Sequence, residues 1–363
     1  MNIAVIVEYV RDLPWAPSKW ATDAAEGLRR RGHRVVMVCD GADDGARLAA
    51  GVDEAYVRRP ARRVRDRRPL AFARWARRQL HAIEVDATIS CSSLVEGSIE
   101  LWSGMSALGE LGQIVRERSA ASVFLELAHH RGLLSAVMGE RRVRRRAKGE
   151  KVGAWGASRL EATDVDDVLR NRVRGALGIN VDERVFLIGA THRHRPGIRE
   201  MLAGLGMFQR GGGGGVAIVI GRETYSLSAM AGSAGAQVRC LGAMRDMAAV
   251  LAAADVVVAA GDASGEGGTG RFVADALHVG RPVLCDAGAS GAELLESVNS
   301  QGEAPGAWVS KRTAGAWCEA FVELMEAGTY ARAQRAAQRL RGTLSMDAWI
   351  SRLEESLAAR ASR

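Results

Sequence analysis

The stretch Asp255–Glu293, DVVVAAGDASGEGGTGRFVADALHVGRPVLCDAGASGAE, decides how the rest of the chain is read. Three β-branched residues (Val256, Val257, Val258) run into a loop carrying Gly261, Gly265, Gly267, Gly268 and Gly270, a helical pattern follows, and a second apolar run spans Pro282–Cys285. The order is strand, Gly-rich turn, helix, strand. Glycines let a backbone approach a ligand closely, and the N–H groups and dipole at the start of the next helix favour an anion such as a phosphate. Thr269 is the candidate N-cap of that helix. In open α/β sheets ligands sit beyond the carboxyl ends of the strands, where this loop must lie. Glycines alone fit a surface loop that binds nothing equally well, since no single nucleotide fingerprint is matched.

With these residues in place, the stretch resembles the donor-binding segment of retaining family 4 glycosyltransferases of the GT-B fold. That pattern reads roughly E-x-x-G-x-x-x-x-E-A-x-x-x-G-x-P-V, with G-x-x-E further on. Gly270, Asp275, Ala276, Gly280, Pro282, Val283 and Glu293 fall in the matching places. The second Glu of the pattern binds the ribose of a nucleotide sugar, a role the resemblance passes to Asp275, one methylene shorter. The first Glu falls at Gly267, and Glu266, one position early, is the candidate catalytic carboxylate.

Other segments extend the resemblance. The run Cys240–Val258, CLGAMRDMAAVLAAADVVV, is similar to the family's strand, base-binding loop and helix, which implies that Gly242 to Arg245 line the nucleobase pocket. After an expected strand at Arg184–Ala190 comes THRHRPG, Thr191–Gly197. There the family carries a basic residue and then Lys-Gly to hold the donor diphosphate. Gly197 matches, Pro196 replaces the Lys, and Arg193 and Arg195 become the candidate diphosphate ligands, with Arg222 at the end of the next strand a third. His129, in the His129-His130 pair after an expected strand at Ser122–Leu127, matches the family's strand-end His facing donor sugar or acceptor, while a capping role fits it as well.

The resemblance implies an α/β protein of the GT-B type, two doubly wound Rossmann-like domains facing a central cleft. The N-terminal, acceptor-side domain is expected over 1–165, with the C-terminal helix 345–363 packing back on it through Trp349, Ile350 and Leu353. The donor-binding domain is expected over 166–344. The implied activity is metal-independent transfer of a sugar, with retention, from a nucleoside-diphosphate sugar to an acceptor hydroxyl. No cofactor is implied, because the nucleotide sugar is a substrate. The layout is closest to lipopolysaccharide-core glucosyltransferases, which implies a glycan or glycolipid acceptor. The departures at Trp15-Ala16, Pro196, Gly267 and Asp275 also fit a degenerate GT-B protein that binds without turnover.

Bulk properties set the frame. A chain of 363 residues, 47% hydrophobic, can bury two cores. There is no run of eighteen apolar residues, and MNIAVIVEYV meets Glu8 too early for a signal peptide, so the chain is read as cytoplasmic. The five cysteines are scattered and odd in number, as inert buried thiols are. Residues 1–165 hold 28 Lys and Arg against 21 Asp and Glu, a balance of +7 out of the total +8. The basic runs RRPARRVRDRRPLAFARWARR (58–78) and RRVRRRAK (141–148) contain Phe72 and Trp75, a combination suited to an anionic membrane surface and a place on the inner face of the plasma membrane. A solvated charged face accounts for the same residues. Nucleic acid is disfavoured as a partner, since four Tyr and six Phe leave few stacking platforms. The D-x-D string at Asp164–Asp166 supplies charge to a helix start and implies no metal.

Overall fold

The apolar opening of the chain forms β1 (Asn2–Val7), in which Ile3 to Val7 are all buried. A parallel strand is covered by helices on both faces, and a run of apolar residues rather than an alternation is what such a strand needs. The computed structural model describes residues 1–10, 18–42, 51–58, 68–91, 95, 98–100, 158, 160–189, 197–221, 224–242, 244, 246–260, 268–286, 295 and 303–361. They divide into two compact units, one from Met1–Ala154 and Trp349–Arg363, the other from Trp155–Ala263 and Gly268–Ala348.

In the first unit β1 is joined by β2 (Arg34–Cys39), β3 (Glu54–Val57), β4 (Ala87–Ser90) and β5 (Ile99–Glu100) in the order β3-β2-β1-β4-β5. Every pairing is parallel. The chain builds outward to β3 and then returns to the far side of β1. The helix Ser18–Arg30 buries the stripe Trp20, Ala21, Ala24, Ala25 and Leu28, the spacing of one helical face. The C-terminal helix Met346–Ala361 buries Trp349, Ile350, Leu353 and Leu357. Trp349 meets Trp20 edge-on at 5.3 Å between ring centroids, and the His33 Nε2–Glu354 contact at 2.8 Å pins the same helix further along. In the helix Arg68–Ala82, Phe72 is buried against Ile6 and Val38, so it is a core residue rather than a membrane anchor. Arg74, Arg77 and Arg78 remain exposed on the opposite face.

The second unit holds β6 (Val185–Gly189), β7 (Val216–Ile220), β8 (Val238–Gly242), β9 (Val256–Ala259), β10 (Val283–Asp286) and β11 (Gly306–Val309), again all parallel, in the order β11-β10-β9-β6-β7-β8. One face buries a cluster in which Phe186 touches Phe208 and Phe321 at 5.9 and 5.4 Å between ring centroids. The other packs Leu187, Val257, Phe272, Val273 and Leu277. Asp166 caps the helix Asp167–Ala176, accepting the Leu169 N–H at 2.7 Å, so the D-x-D string is a helix start, and Val165 is buried in this unit's core. Strands β3 and β11 and the helix Thr224–Ser233 appear where no sequence signal is strong. Cys39, Cys91 and Cys285 are buried thiols, and burial pushes the Cys39 thiol up to about 11.

Candidate donor site

The order of the second sheet sets where a ligand can enter. The chain runs β6, β7, β8 to one side, then crosses to place β9, β10 and β11 on the other. The switch point is therefore between β6 and β9, and open α/β sheets bind ligands beyond the carboxyl ends of the strands at such a point.

Two helices begin there. After β6 the chain re-enters a helix at Ile198–Arg210, with Gly197 at its N-cap in the left-handed region at φ 92°. A side chain is strained at that φ, so the matching Gly has a backbone reason to be there. After β9 the helix Gly268–His278 begins. Gly268, Thr269 and Gly270 all lie in its first turn, which makes Thr269 a residue inside the helix and not its N-cap. First-turn N–H groups have no partner within a helix and suit an anion. The end of β6 lies against this helix: a Cβ on Gly189 would sit 2.7 Å from the Phe272 ring. Gly242 ends β8 on the same carboxyl edge with φ 80°, and its carbonyl accepts the Gly221 N–H at 2.9 Å.

Asp275 lies further along the same helix and is only 6% exposed. Arg271, one turn earlier, places Nε 3.9 Å from its Oδ2, a spacing of i to i+4. Burial raises the pKa of Asp275, with the Arg271 charge opposing, while burial lowers that of Arg271. Oδ1 of Asp275 is buried with no hydrogen-bond partner. On the same face His278 is also buried, its Nδ1 has no hydrogen-bond partner, and burial lowers its pKa.

Gly242, Gly268, Thr269 and Gly270 thus lie at the carboxyl ends of β8 and β9, while Asp275 lies two turns along the helix Gly268–His278. His129, Arg193, Arg195, Arg222 and Glu266 lie outside the described residues. Sequence reasoning missed Arg271 and His278. Both share a face of the helix with Asp275 by spacing alone. Among the described residues no group of three His, Cys, Asp or Glu is arranged as metal ligands, and no helix is long and apolar enough to cross a membrane.

The two parallel sheets match those of solved structures with the GT-B fold. Residues 182–327, which apart from 264–267 lie within the second unit, match the family model described as Glycosyl transferases group 1. No curated protein sequence matches the chain significantly. Among solved structures, WaaG, a glycosyltransferase involved in lipopolysaccharide biosynthesis, aligns with a TM-score of 0.68 at 14% identity, over 98% of this chain and 99% of its own. A glycosyltransferase from Rickettsia africae gives 0.63 at 9% identity, over 99% and 98%. HepE of Anabaena, in complex with UDP and glucose, gives 0.60 at 13% identity, over 99% and 100%.

Proposed function

We propose that the protein transfers a glycosyl group, with retention and without a metal, from a nucleoside-diphosphate sugar to an acceptor hydroxyl. The observation that carries the reading is the pair of helix starts, Gly197–Ile198 and Gly268, at the switch point of a sheet whose family transfers sugars. Leaving-group charge develops on the diphosphate, and fixed donors aimed there stabilise it most. Arg193 and Arg195, between β6 and the helix Ile198–Arg210 in sequence, supply cationic donors, and the amides of Gly268 to Gly270 add dipoles from the other side of the switch point. Arg222 is a third cation, Gly242 borders the base, and Asp275 accepts from the ribose. Glu266 and His129 act at the sugar and the incoming hydroxyl.

The acceptor is proposed to be a lipid-linked or cell-envelope glycan. Support comes from WaaG and from the exposed arginines Arg74, Arg77 and Arg78, which add attraction to an anionic headgroup. The buried pairing of Asp275 with Arg271 favours one alternative, a domain that binds nucleotide without turnover.

Incubation of the purified chain with UDP-, GDP- and ADP-sugars, with release of the nucleoside diphosphate followed and the anomeric configuration of any product read by NMR, tests the reading. Diphosphate release with the donor configuration retained supports it. Saturable binding of a nucleotide with no release from its sugar would leave the non-catalytic alternative standing.

A further inference from the structure

The amino ends of three neighbouring strands of the second sheet, β6, β9 and β10, carry an unbalanced set of charges. Arg184 immediately precedes β6, Asp255 precedes β9, and Arg281 lies two residues before β10. The helix Asp167–Ala176 adds Arg170 and Arg174. Among the described residues Asp255 is the one carboxylate that pairs with any of these arginines, at 2.6 Å to Arg170, 2.6 Å to Arg174 and 3.8 Å to Arg184. Four guanidinium charges therefore meet one carboxylate, an excess of three.

Backbone carbonyls offset only part of that excess. At the end of the helix Met247–Ala253, the Ala253 carbonyl accepts from Arg174 at 3.1 Å, and the Ala252 carbonyl accepts from both Arg170 and Arg281 at 3.3 Å. A helix C-terminus supplies roughly half a negative charge. Arg174 is buried and its donors are taken up by further carbonyls, so its role is structural. The other three are linked through shared acceptors: Arg184 and Arg170 both approach Asp255 Oδ1, and Arg170 and Arg281 both reach Ala252. The Arg184 side chain is 48% exposed and its guanidinium lies 4.0 Å over the Tyr330 ring, which holds it in place. Arg281 is partly exposed, and burial and the neighbouring Arg170 charge push its pKa down, with Asp255 opposing. Like charges gathered in a partly dry place favour an anion. A phosphate group carries two charges and several oxygens, which suits guanidinium forks arriving from different directions.

We propose that the amino edge of the second sheet is a phosphate-binding site, in which Arg184 and Arg281, linked through Arg170, hold the dianion of inorganic phosphate or of a small phosphomonoester. The proposed donor site lies at the opposite, carboxyl ends of the strands, so the two are separate and either can fail without the other.

A ligand bound to the folded state raises the melting temperature and saturates, whereas exclusion of phosphate from the protein surface stabilises without saturating. The test follows the melting temperature of the full chain against rising inorganic phosphate, and separately glycerol 3-phosphate, at constant ionic strength. It is repeated in Arg193→Ala with Arg195→Ala, which removes the arginines assigned to the donor diphosphate, and in Arg184→Gln and Arg281→Gln. A saturable rise is expected in the unaltered chain and in the double variant. Arg184→Gln and Arg281→Gln should each weaken the apparent affinity about tenfold, the value of one charge-assisted hydrogen bond. Tighter binding of glycerol 3-phosphate than of phosphate makes the ligand a phosphorylated metabolite, and the reverse order makes it free phosphate. Arg184 is half exposed, so Arg184→Gln decides the matter should Arg281→Gln fail to fold. A rise that does not saturate, no rise at all, or a saturable rise that is lost in the double variant or unchanged in Arg184→Gln overturns the inference.

Discussion

Arg174 and Asp255 meet at 2.6 Å with side chains 1% and 4% exposed, and the pair ties the helix Asp167–Ala176 to the start of β9. Arg170 takes the other carboxylate oxygen at 2.6 Å, and the Val185 N–H, at the first residue of β6, donates to Oδ2 at 2.8 Å. The remaining Arg174 donors reach the carbonyls of Ala253, Val181 and Glu183. One carboxylate thus joins the amino ends of both strands that flank the switch point.

Breaking such a unit leaves buried cations without a counter-charge. Asp255→Ala is expected to lower the unfolding free energy by about 3–5 kcal/mol, the range for removing one partner of a buried pair. Urea denaturation followed by circular dichroism measures it. A loss under about 1 kcal/mol would equate the pair with a surface ion pair and contradict its assigned role.

Gly189 ends β6 against Phe272, with no room for a Cβ. Gly189→Ala should destabilise by about 1–3 kcal/mol through overpacking. Phe272→Ala in the same chain should recover part of that loss, since two residues in contact are not additive. Additive effects in the double-mutant cycle would show that the two do not touch.

Burial holds His278 below its ordinary 6.5, against the opposing Leu160 carbonyl and Glu161. In the folded chain the neutral ring is preferred, whereas the unfolded chain takes up a proton as pH falls below 6.5. The contribution is therefore fully present above 6.5 and is lost as pH falls toward the depressed folded value. His278→Gln should flatten this part of the plot of melting temperature against pH. An unaltered slope in the variant would assign the acid sensitivity elsewhere.

Arg193→Ala combined with Arg195→Ala is expected to weaken nucleoside-diphosphate binding at least tenfold, or about 1.4 kcal/mol, while binding of the free nucleoside changes little. Equal losses for diphosphate and nucleoside would show that these arginines do not hold phosphate.

Much of the fold was legible because its determinants are local. Runs such as Val256–Val258 and Ile3–Val7 are apolar without alternation, as strands of covered parallel sheets are, and glycines punctuate the helix ends. Strands β3 and β11 escaped notice because EAYV and GAWV are four residues long and largely unburied. Phe72 was misread for a related reason: an aromatic among arginines looks like an anchor until the face it occupies is known. At the site, the glycines and Asp275 were legible through their spacing, and Arg271 and His278 could have been found from the same helical period.

The central claim is a working nucleotide-sugar site in the second unit, and the most direct measurement is isothermal titration of the folded chain with UDP, GDP, ADP and CMP and their sugars. The account predicts saturable binding, one site per chain, of one nucleoside diphosphate and its sugar, lost in Arg193→Ala with Arg195→Ala. No heat and no saturation with any of them, from protein whose circular dichroism shows it folded, would contradict it.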